Sequence, residues 1–358
     1  MAIDLAVLGW NPRLAAAFEP YRSRGLEPAR VSLEHTHIYR VLGERGELLA
    51  RVAGRLRHRA GTRTDYPAVG DWVAVEPAAH GGDARIHAVL PRTSRFSRRA
   101  AGDVTEEQIV AANIDTVFLV GGLDGDFNPR RLERYLLVAR ESDANPVIIL
   151  NKADLSDDPA ARVAEVQAHA VDVPVYGVSC HAPETLEPLW RYLQSGRTAA
   201  LLGSSGVGKS TIVNRLVGHD LLATRDVRES DSRGRHTSTS RQMVLLPGGG
   251  ILIDTPGMRE LQLWDTGEGL AATFGDIEAL AGECRFRDCR HRGEPGCAVA
   301  AAVATGALDD VRLASFRKLQ DEQAFQARQQ DERGRIEEKR RGREGARALR
   351  KRLEDKGR

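Results

Sequence analysis

Cysteine is scarce: four in 358 residues. That is too few to staple a chain of this length, which leaves a metal site or reduced thiols. Long apolar runs are missing too. No stretch approaches the ~18 residues a helix needs to cross a bilayer, so no membrane association is expected. The opening Met1-Ala2-Ile3-Asp4-Leu5 has neither the basic region nor the cleavage pattern of a secretory signal, and the cytoplasm is the expected compartment. Nor is there a strong charge imbalance. The formal net charge is only +2, so total charge does not announce a nucleic-acid binder, and its distribution says more. With 41% hydrophobic and 28% charged residues the composition is that of a soluble globular protein, and the length suggests two or three domains.

What is present centres on Gly203-Ser204-Ser205-Gly206-Val207-Gly208-Lys209-Ser210, a G-x-x-x-x-G-K-S motif. The apolar run Thr198-Ala199-Ala200-Leu201-Leu202 precedes it, and Thr211-Ile212-Val213-Asn214-Arg215-Leu216-Val217 follows, giving strand, glycine loop and helix start. In such a loop glycines let backbone N–H groups curl round a β-phosphate, and the helix N-terminus adds positive potential. Lys209 would bridge the β- and γ-phosphates, and Ser210 would offer a hydroxyl to Mg²⁺.

Further motifs name the nucleotide. Pro146-Val147-Ile148-Ile149-Leu150 reads as a strand that ends on Asn151-Lys152-Ala153-Asp154, an N-K-x-D at the strand end where α/β sheets bind ligands. An aspartate there accepts hydrogen bonds from N1–H and the 2-amino group of guanine, a pair adenine lacks. Asn151 and Lys152 would pin the loop and cover the base. Ser179-Cys180, after the strand Val173 to Val178, either lends backbone N–H groups to the guanine O6 or, for Cys180, fills a small buried position. Downstream, Gln242 to Leu246 and Ile251 to Ile253 flank Pro247-Gly248-Gly249-Gly250 as a hairpin. Its second strand runs into Asp254-Thr255-Pro256-Gly257, a D-x-x-G whose carboxylate can hold Mg²⁺ through water while the Gly257 N–H reaches a γ-phosphate. The polar stretch Thr224 to Ser240, with Gly234-Arg235-His236-Thr237-Ser238-Thr239, has the character of a switch.

The order of these motifs is unusual. In ordinary GTPases the guanine reader follows the phosphate loop, whereas Asn151–Asp154 precedes Gly203, so the domain is circularly permuted. The segment after Gly257 then leads directly into Cys284-x₄-Cys289-x-His291-x₅-Cys297. Three thiolates and one imidazole at short spacing suit a closed, structural Zn²⁺ site.

On the N-terminal side, residues 1–30 form a lead segment in which Leu14, Ala17, Phe18 and Tyr21 recur at helical spacing, with Gly25 as a stop. Residues 31–100 carry five short alternating runs punctuated by turn signals, the pattern of a five-stranded OB-fold barrel. Its arginines, Arg51, Arg55, Arg57, Arg59, Arg63, Arg92, Arg95, Arg98 and Arg99, form either a nucleic-acid face or a solvated surface. The GTPase domain is assigned to 101–268 and the mostly helical zinc-binding domain to 269–325. The tail, 326–358, reads equally as an arm that orders on RNA phosphates or as solvated charge.

With this permuted order, the preceding barrel and the following Cys-Cys-His-Cys set, the chain resembles the RsgA (YjeQ) family across about residues 30 to 325. The resemblance implies a GTP hydrolase that acts in maturation of the small ribosomal subunit and binds its rRNA through the barrel and zinc domains, in the cytoplasm and as a monomer. By motif position it implies that Asn151, Lys152, Asp154, Ser179 and Cys180 bind guanine and that Gly203 to Thr211 hold the phosphates and Mg²⁺. Thr237 becomes the switch hydroxyl on Mg²⁺, Asp254 and Gly257 face the γ-phosphate, and Cys284, Cys289, His291 and Cys297 hold zinc. The family commonly shows consecutive threonines where this chain has Thr237-Ser238-Thr239, which leaves the Mg²⁺ hydroxyl open by one position. Cys180 stands where a small residue such as alanine is usual.

Met258 occupies the place where water-positioning GTPases carry glutamine, and a thioether cannot donate a hydrogen bond to a water. His236 is the expected substitute, alongside Lys209 and Thr237 as catalytic groups. Slow hydrolysis in isolation, accelerated by docking on the small subunit, follows as an expectation. Two other classes stay open at this stage: a nucleotide-sensing RNA-binding module with incidental hydrolysis, and a permuted GTPase of large-subunit assembly.

Overall fold

Capping residues set the first elements of the chain. Asp4 accepts from the Ala6 N–H at the start of a 3₁₀ turn, Leu5–Leu8, and Asn11 accepts from the Leu14 N–H to start helix α1, Pro12–Arg22. Pro12 sits in the first turn, where a missing N–H costs nothing. Leu5, Leu8, Leu14 and Phe18 are buried against Trp72, Ala74 and Leu90, so the lead segment plugs one side of the structure that follows. The computed structural model describes residues 3–35, 38–78, 82–99, 107–125, 127–170, 172–218, 242–254, 268–324 and 328. The chain divides into two units, Met1–Gln262 and Leu263–Arg358.

Five strands make the barrel: β1 (Glu27–His35), β2 (Ile38–Gly43), β3 (Gly46–Val52), β4 (Trp72–Glu76) and β5 (Ala84–Val89). Their order is β1-β2-β3-β5-β4, and pairing of β4 back onto β1 closes it. Only β3 and β5 are parallel among these neighbours. Alternate residues point inward, as a period of two demands: Ala29 and Val31, Tyr39 and Val41, Ala50 and Val52, Val73 and Val75, Ala84 and Ile86 share one core. This is the OB-like barrel expected from the alternation. A short helix, α2 (Gly54–Arg59), follows β3 and exposes Arg55, Arg57 and Arg59.

One of the arginines of this candidate face, Arg92, is half-buried and tied to the interior. Arg92 forks onto the fully buried Asp71 at 2.8 and 2.7 Å and donates to the carbonyls of Thr64 and Tyr66 at 2.7 and 2.9 Å. Burial raises the Asp71 pKa, and the Arg92 pair opposes the rise. Removing one partner would strand the other, so Arg92→Ala is expected to cost about 3–5 kcal/mol. Urea unfolding measures this; a loss below about 1 kcal/mol, the scale of an exposed pair, would contradict it.

A hairpin that the sequence did not announce, β6 (Arg95–Arg99) and β7 (Glu107–Ala112), leads on to the α/β region. There β8 (Thr116–Gly122), helix α3 (Pro129–Glu141), β9 (Asn145–Asn151), α4 (Pro159–His169), β10 (Val175–Gly177), a 3₁₀ helix (Pro183–Tyr192), β11 (Thr198–Gly203), α5 (Lys209–Val217), β12 (Gln242–Leu245) and β13 (Ile251–Asp254) follow in order. The strands lie as β10-β9-β8-β11-β13-β12. All neighbours are parallel except β12 with β13. Phe118, Leu119, Ile149, Leu150 and Leu202 are fully buried, as a parallel sheet covered by helices requires.

Barrel and α/β sheet are joined through their backbones. β1 pairs with β12 at Leu33 and Gln242, making one eleven-stranded sheet. Arg30 alternates with the inward Ala29 and Val31 of β1 and so points out of the barrel, yet it is buried. It donates to the carbonyls of Leu8, Gly70 and Asn113 at 2.6, 3.1 and 3.0 Å, tying lead segment, barrel and α/β region together. Burial pushes its pKa down to about 10.

The second unit holds α6 (Glu268–Thr273), α7 (Gly275–Ala281), α8 (Ala298–Ala304) and a helix over 310–324. Phe274, Ile277, Val299 and Phe316 form its centre, with Phe274 edge-on to Phe316 at 5.4 Å. Arg312 forks onto Asp276 at 2.7 Å from both nitrogens. Three α-helices, a fourth helical stretch and no strand among its described residues match the mostly helical expectation.

Candidate nucleotide site and metal centre

Because β9, β8, β11 and β13 are parallel neighbours, their C-terminal ends lie along one sheet edge. That edge collects motifs far apart in the chain: Asn151 ends β9, Gly203 ends β11 and Asp254 ends β13. The permuted order therefore leaves the spatial arrangement of a ligand-binding edge intact.

The loop from Gly203 to Gly208 crosses this edge and enters α5, whose N-cap, Gly208, offers no side-chain cap. First-turn N–H groups are thus left for an anion. Gly208 has φ +92°, and a Cβ there would come within 2.2 Å of Asn151 Nδ2. A Cβ at Gly203 would meet the Val120 carbonyl oxygen at 2.4 Å. Packing alone therefore requires glycine at both places. Lys209 Nζ donates to the carbonyls of Gly203 and Ser204 at 2.7 and 2.6 Å, folded back over the loop that would hold phosphates. Ser205 and Gly206 are exposed at its tip, Val207 is buried beneath it, and Ser210 and Thr211 sit half-buried in the first turn of α5.

The N-K-x-D segment is wired to this loop. Asn151 Nδ2 donates to the Val207 carbonyl at 2.8 Å, and the Cys180 thiol approaches Asn151 Oδ1 at 3.6 Å. Lys152 adopts the left-handed conformation, φ +62°, and its ammonium pairs with Asp124 at 2.5 Å. Asp124 lies in the loop after β8; no motif marks it, and only an acidic residue after a buried strand could have signalled it. Ser179 Oγ donates to Asp154 Oδ1, and the His181 N–H donates to Ser179 Oγ at 3.1 Å. The Ser179 hydrogen bond, with the nearby His181 and Lys152 charges, holds the Asp154 carboxyl below the usual carboxylate range. Asp154 stays exposed, its carboxylate available to a ligand. Cys180 is buried, and burial raises its thiol pKa.

His236, Thr237 and Gly257 lie outside the described residues, as do Ser238, Met258 and the tail 326–358 apart from residue 328.

In the second unit the ligand atoms of Cys284, Cys289, His291 and Cys297 lie within 4.8 Å of one another. His291 Nδ1 is 3.6 Å from Cys284 Sγ and 3.5 Å from Cys297 Sγ, and the two sulfurs are 3.9 Å apart. Tetrahedral ligation with bonds of ~2.3 Å to sulfur and ~2.0 Å to nitrogen places ligand atoms about 3.5–3.8 Å apart, so the donor set fits a metal. Two local features shape it. His291 is held at φ +59°, a conformation few non-glycine residues adopt, and the Ala300 N–H donates to Cys297 Sγ at 3.3 Å from the first turn of α8.

Three comparisons bear on this arrangement. The sequence model of the RsgA GTPase family matches residues 89–264. A protein of Opitutus terrae named small ribosomal subunit biogenesis GTPase RsgA is 51% identical over 340 residues, which cover 92% of each chain. One of the same name from Methanosarcina acetivorans is 45% identical over 320 residues, covering 89% of this chain and 85% of its own. Among solved structures, YjeQ from Thermotoga maritima superposes with a TM-score of 0.63 at 26% identity, covering 84% of this chain and 99% of that one. YloQ, described as a circularly permuted GTPase, does so at 0.59 and 25%, covering 84% and 95%.

Proposed function

The chain belongs to the RsgA GTPase family, and from that premise we propose that it hydrolyses GTP as a late maturation factor of the small ribosomal subunit. One observation carries the reading. A relative named for small-subunit biogenesis is 51% identical across 92% of the chain, a span that takes in barrel, permuted motifs and metal cluster alike.

The site residues take these roles in the proposal. Asp154 reads guanine, Asn151 and Lys152 shape the base loop, and Ser179 orients the carboxylate while Cys180 closes the pocket behind Asn151. Gly203 to Gly208 hold the phosphates, and Lys209 turns from its loop carbonyls to the β- and γ-phosphates. Ser210, Thr237 and Asp254 would hold Mg²⁺, which supplies charge neutralisation at the transferring phosphoryl group. Thr211 supports the first turn of α5, and Gly257 donates its N–H to the γ-phosphate. His236 orients the attacking water, since Met258 cannot. The Cys284, Cys289, His291 and Cys297 set would hold one zinc ion, whose chemistry there is structural because no ligand position stays open.

Exposed Arg55, Arg57 and Arg59 on α2, with Arg51 and Arg63 nearby in sequence, support rRNA contact by the barrel through phosphate neutralisation. The cytoplasm is the proposed compartment, where that partner is found. Sedimentation with purified subunits tests the reading. The protein should pellet with small subunits in the presence of a non-hydrolysable GTP analogue and be released by GDP. His236→Ala should pellet as the parent does yet lose most of the subunit-stimulated turnover, about 10²-fold or more, the scale of a water-orienting group. Equal retention in both nucleotides, or unchanged stimulated turnover in His236→Ala, would contradict these assignments.

A further inference from the structure

We propose that Arg131 and Tyr135 of α3 are positioning residues for the phosphate loop, acting through the side chain of Ser204. The inference rests on the reading of that loop as a guanine-nucleotide site.

The sequence places these residues by elementary geometry. Asn128 caps α3 by accepting from the Arg131 N–H, and Pro129 opens its first turn. Leu132 and Leu136 are buried and set the rotation of the helix. Arg131 and Tyr135, four residues apart, then share one face. That face meets the loop. Arg131 Nη1 donates to Ser204 Oγ at 2.7 Å, and the Tyr135 hydroxyl lies 3.2 Å from the same oxygen. One serine hydroxyl, with one proton and two lone pairs, thereby serves two partners from a single helix.

The consequence appears when the loop's attachments are taken together. Lys209 holds the carbonyls of Gly203 and Ser204, Asn151 holds the carbonyl of Val207, and α3 holds the side chain of Ser204. Once Lys209 turns to bound phosphates it releases both carbonyls at the start of the loop. The α3 contact then still holds Ser204, next to Gly203 at the end of β11, while Asn151 holds the far side of the loop. A loop already held in its bound shape gives up less conformational entropy on binding, and that shows as tighter retention of ligand. Nothing in the G-x-x-x-x-G-K-S pattern specifies a serine at its second position, so the strut is a feature of this chain's own residues.

The test is GDP binding and release, measured with a fluorescent GDP and the full chain. Arg131→Ala and Ser204→Ala are each expected to weaken GDP binding about tenfold, mostly through faster release, and to raise KM for GTP by a similar factor with kcat changed less than about twofold. The double variant should be no weaker than either single one, because Arg131 acts through Ser204. Arg131→Lys keeps a cationic N–H donor for Ser204 Oγ without the planar guanidinium and should recover part of the loss. Tyr135→Phe should weaken binding less than Arg131→Ala. Additive effects in the double variant, or GDP release at the parental rate in Ser204→Ala, would overturn the proposal. A parent chain that binds no guanine nucleotide would instead overturn the nucleotide site itself.

Discussion

Asp154→Asn is expected to weaken GDP binding by about 10³–10⁴ and to create affinity for xanthosine diphosphate. The position of the carboxylate sets the effect. It follows the end of β9, one oxygen takes the Ser179 hydroxyl, and the group remains exposed at the ligand edge of the sheet. Guanine presents two donors there, N1–H and the 2-amino group. An asparagine amide would set its own N–H₂ against one of them and leave a buried donor unpaired. Xanthine carries a carbonyl in place of the 2-amino group, so the same amide becomes complementary. Titration of both diphosphates against both proteins measures the exchange. GDP binding within tenfold of the parent, or no gain for the xanthine nucleotide, would contradict the assignment.

The same carboxylate fixes a pH dependence. Its pKa is depressed, chiefly by the Ser179 hydrogen bond. The ionised form that guanine needs is therefore present at and above the ordinary carboxylate pKa of ~3.9 and is lost only as pH falls further. The contribution of Asp154 to guanine affinity should accordingly be flat between pH 8 and pH 5.

The second large effect is expected from metal removal. The core of the second unit is small, and four donors sit at metal-ligating separations. A structural zinc site contributes roughly 10–16 kcal/mol of apparent folding energy, more than such a unit holds otherwise. A strong chelator at neutral pH, or Cys297→Ser, should therefore unfold residues 263–324 while the Met1–Gln262 unit stays folded. Limited proteolysis followed by mass spectrometry reads this as rapid cleavage confined to the second unit, and metal analysis of the untreated protein should return one zinc per chain. Full protease resistance in the metal-free protein would show that Phe274, Ile277, Val299 and Phe316 suffice without it.

Much of this architecture is written in local pattern. The barrel strands were legible because Val31, Val41, Val52 and Val75 each fall on the inward phase of an alternating run. Helix α3 carries its start signal in the sequence, a capping Asn128 followed by Pro129 in the first turn. The motif residues were legible because phosphate, guanine and metal each demand fixed residue types at fixed spacing. What stayed hidden depends on partners distant in the chain. Arg92 has the sequence context of a surface arginine, and only the fold brings Asp71 beneath it. Arg30 occupies a polar phase of β1, but the lead segment and the α/β region close over it. In the β6–β7 hairpin neither strand alternates: β6 is nearly all polar, and β7 ends in the unbroken apolar run Ile109 to Ala112. Asp124, Arg131 and Tyr135 belong to no motif, because they act on the loops that carry the motifs.

GTP turnover by the purified protein, alone and with added small or large ribosomal subunits, tests the central claim most directly. Slow hydrolysis in isolation, strongly accelerated by small subunits and unaffected by large ones, is the expected result. A fast rate that no subunit changes, or acceleration by large subunits only, would contradict a small-subunit maturation GTPase.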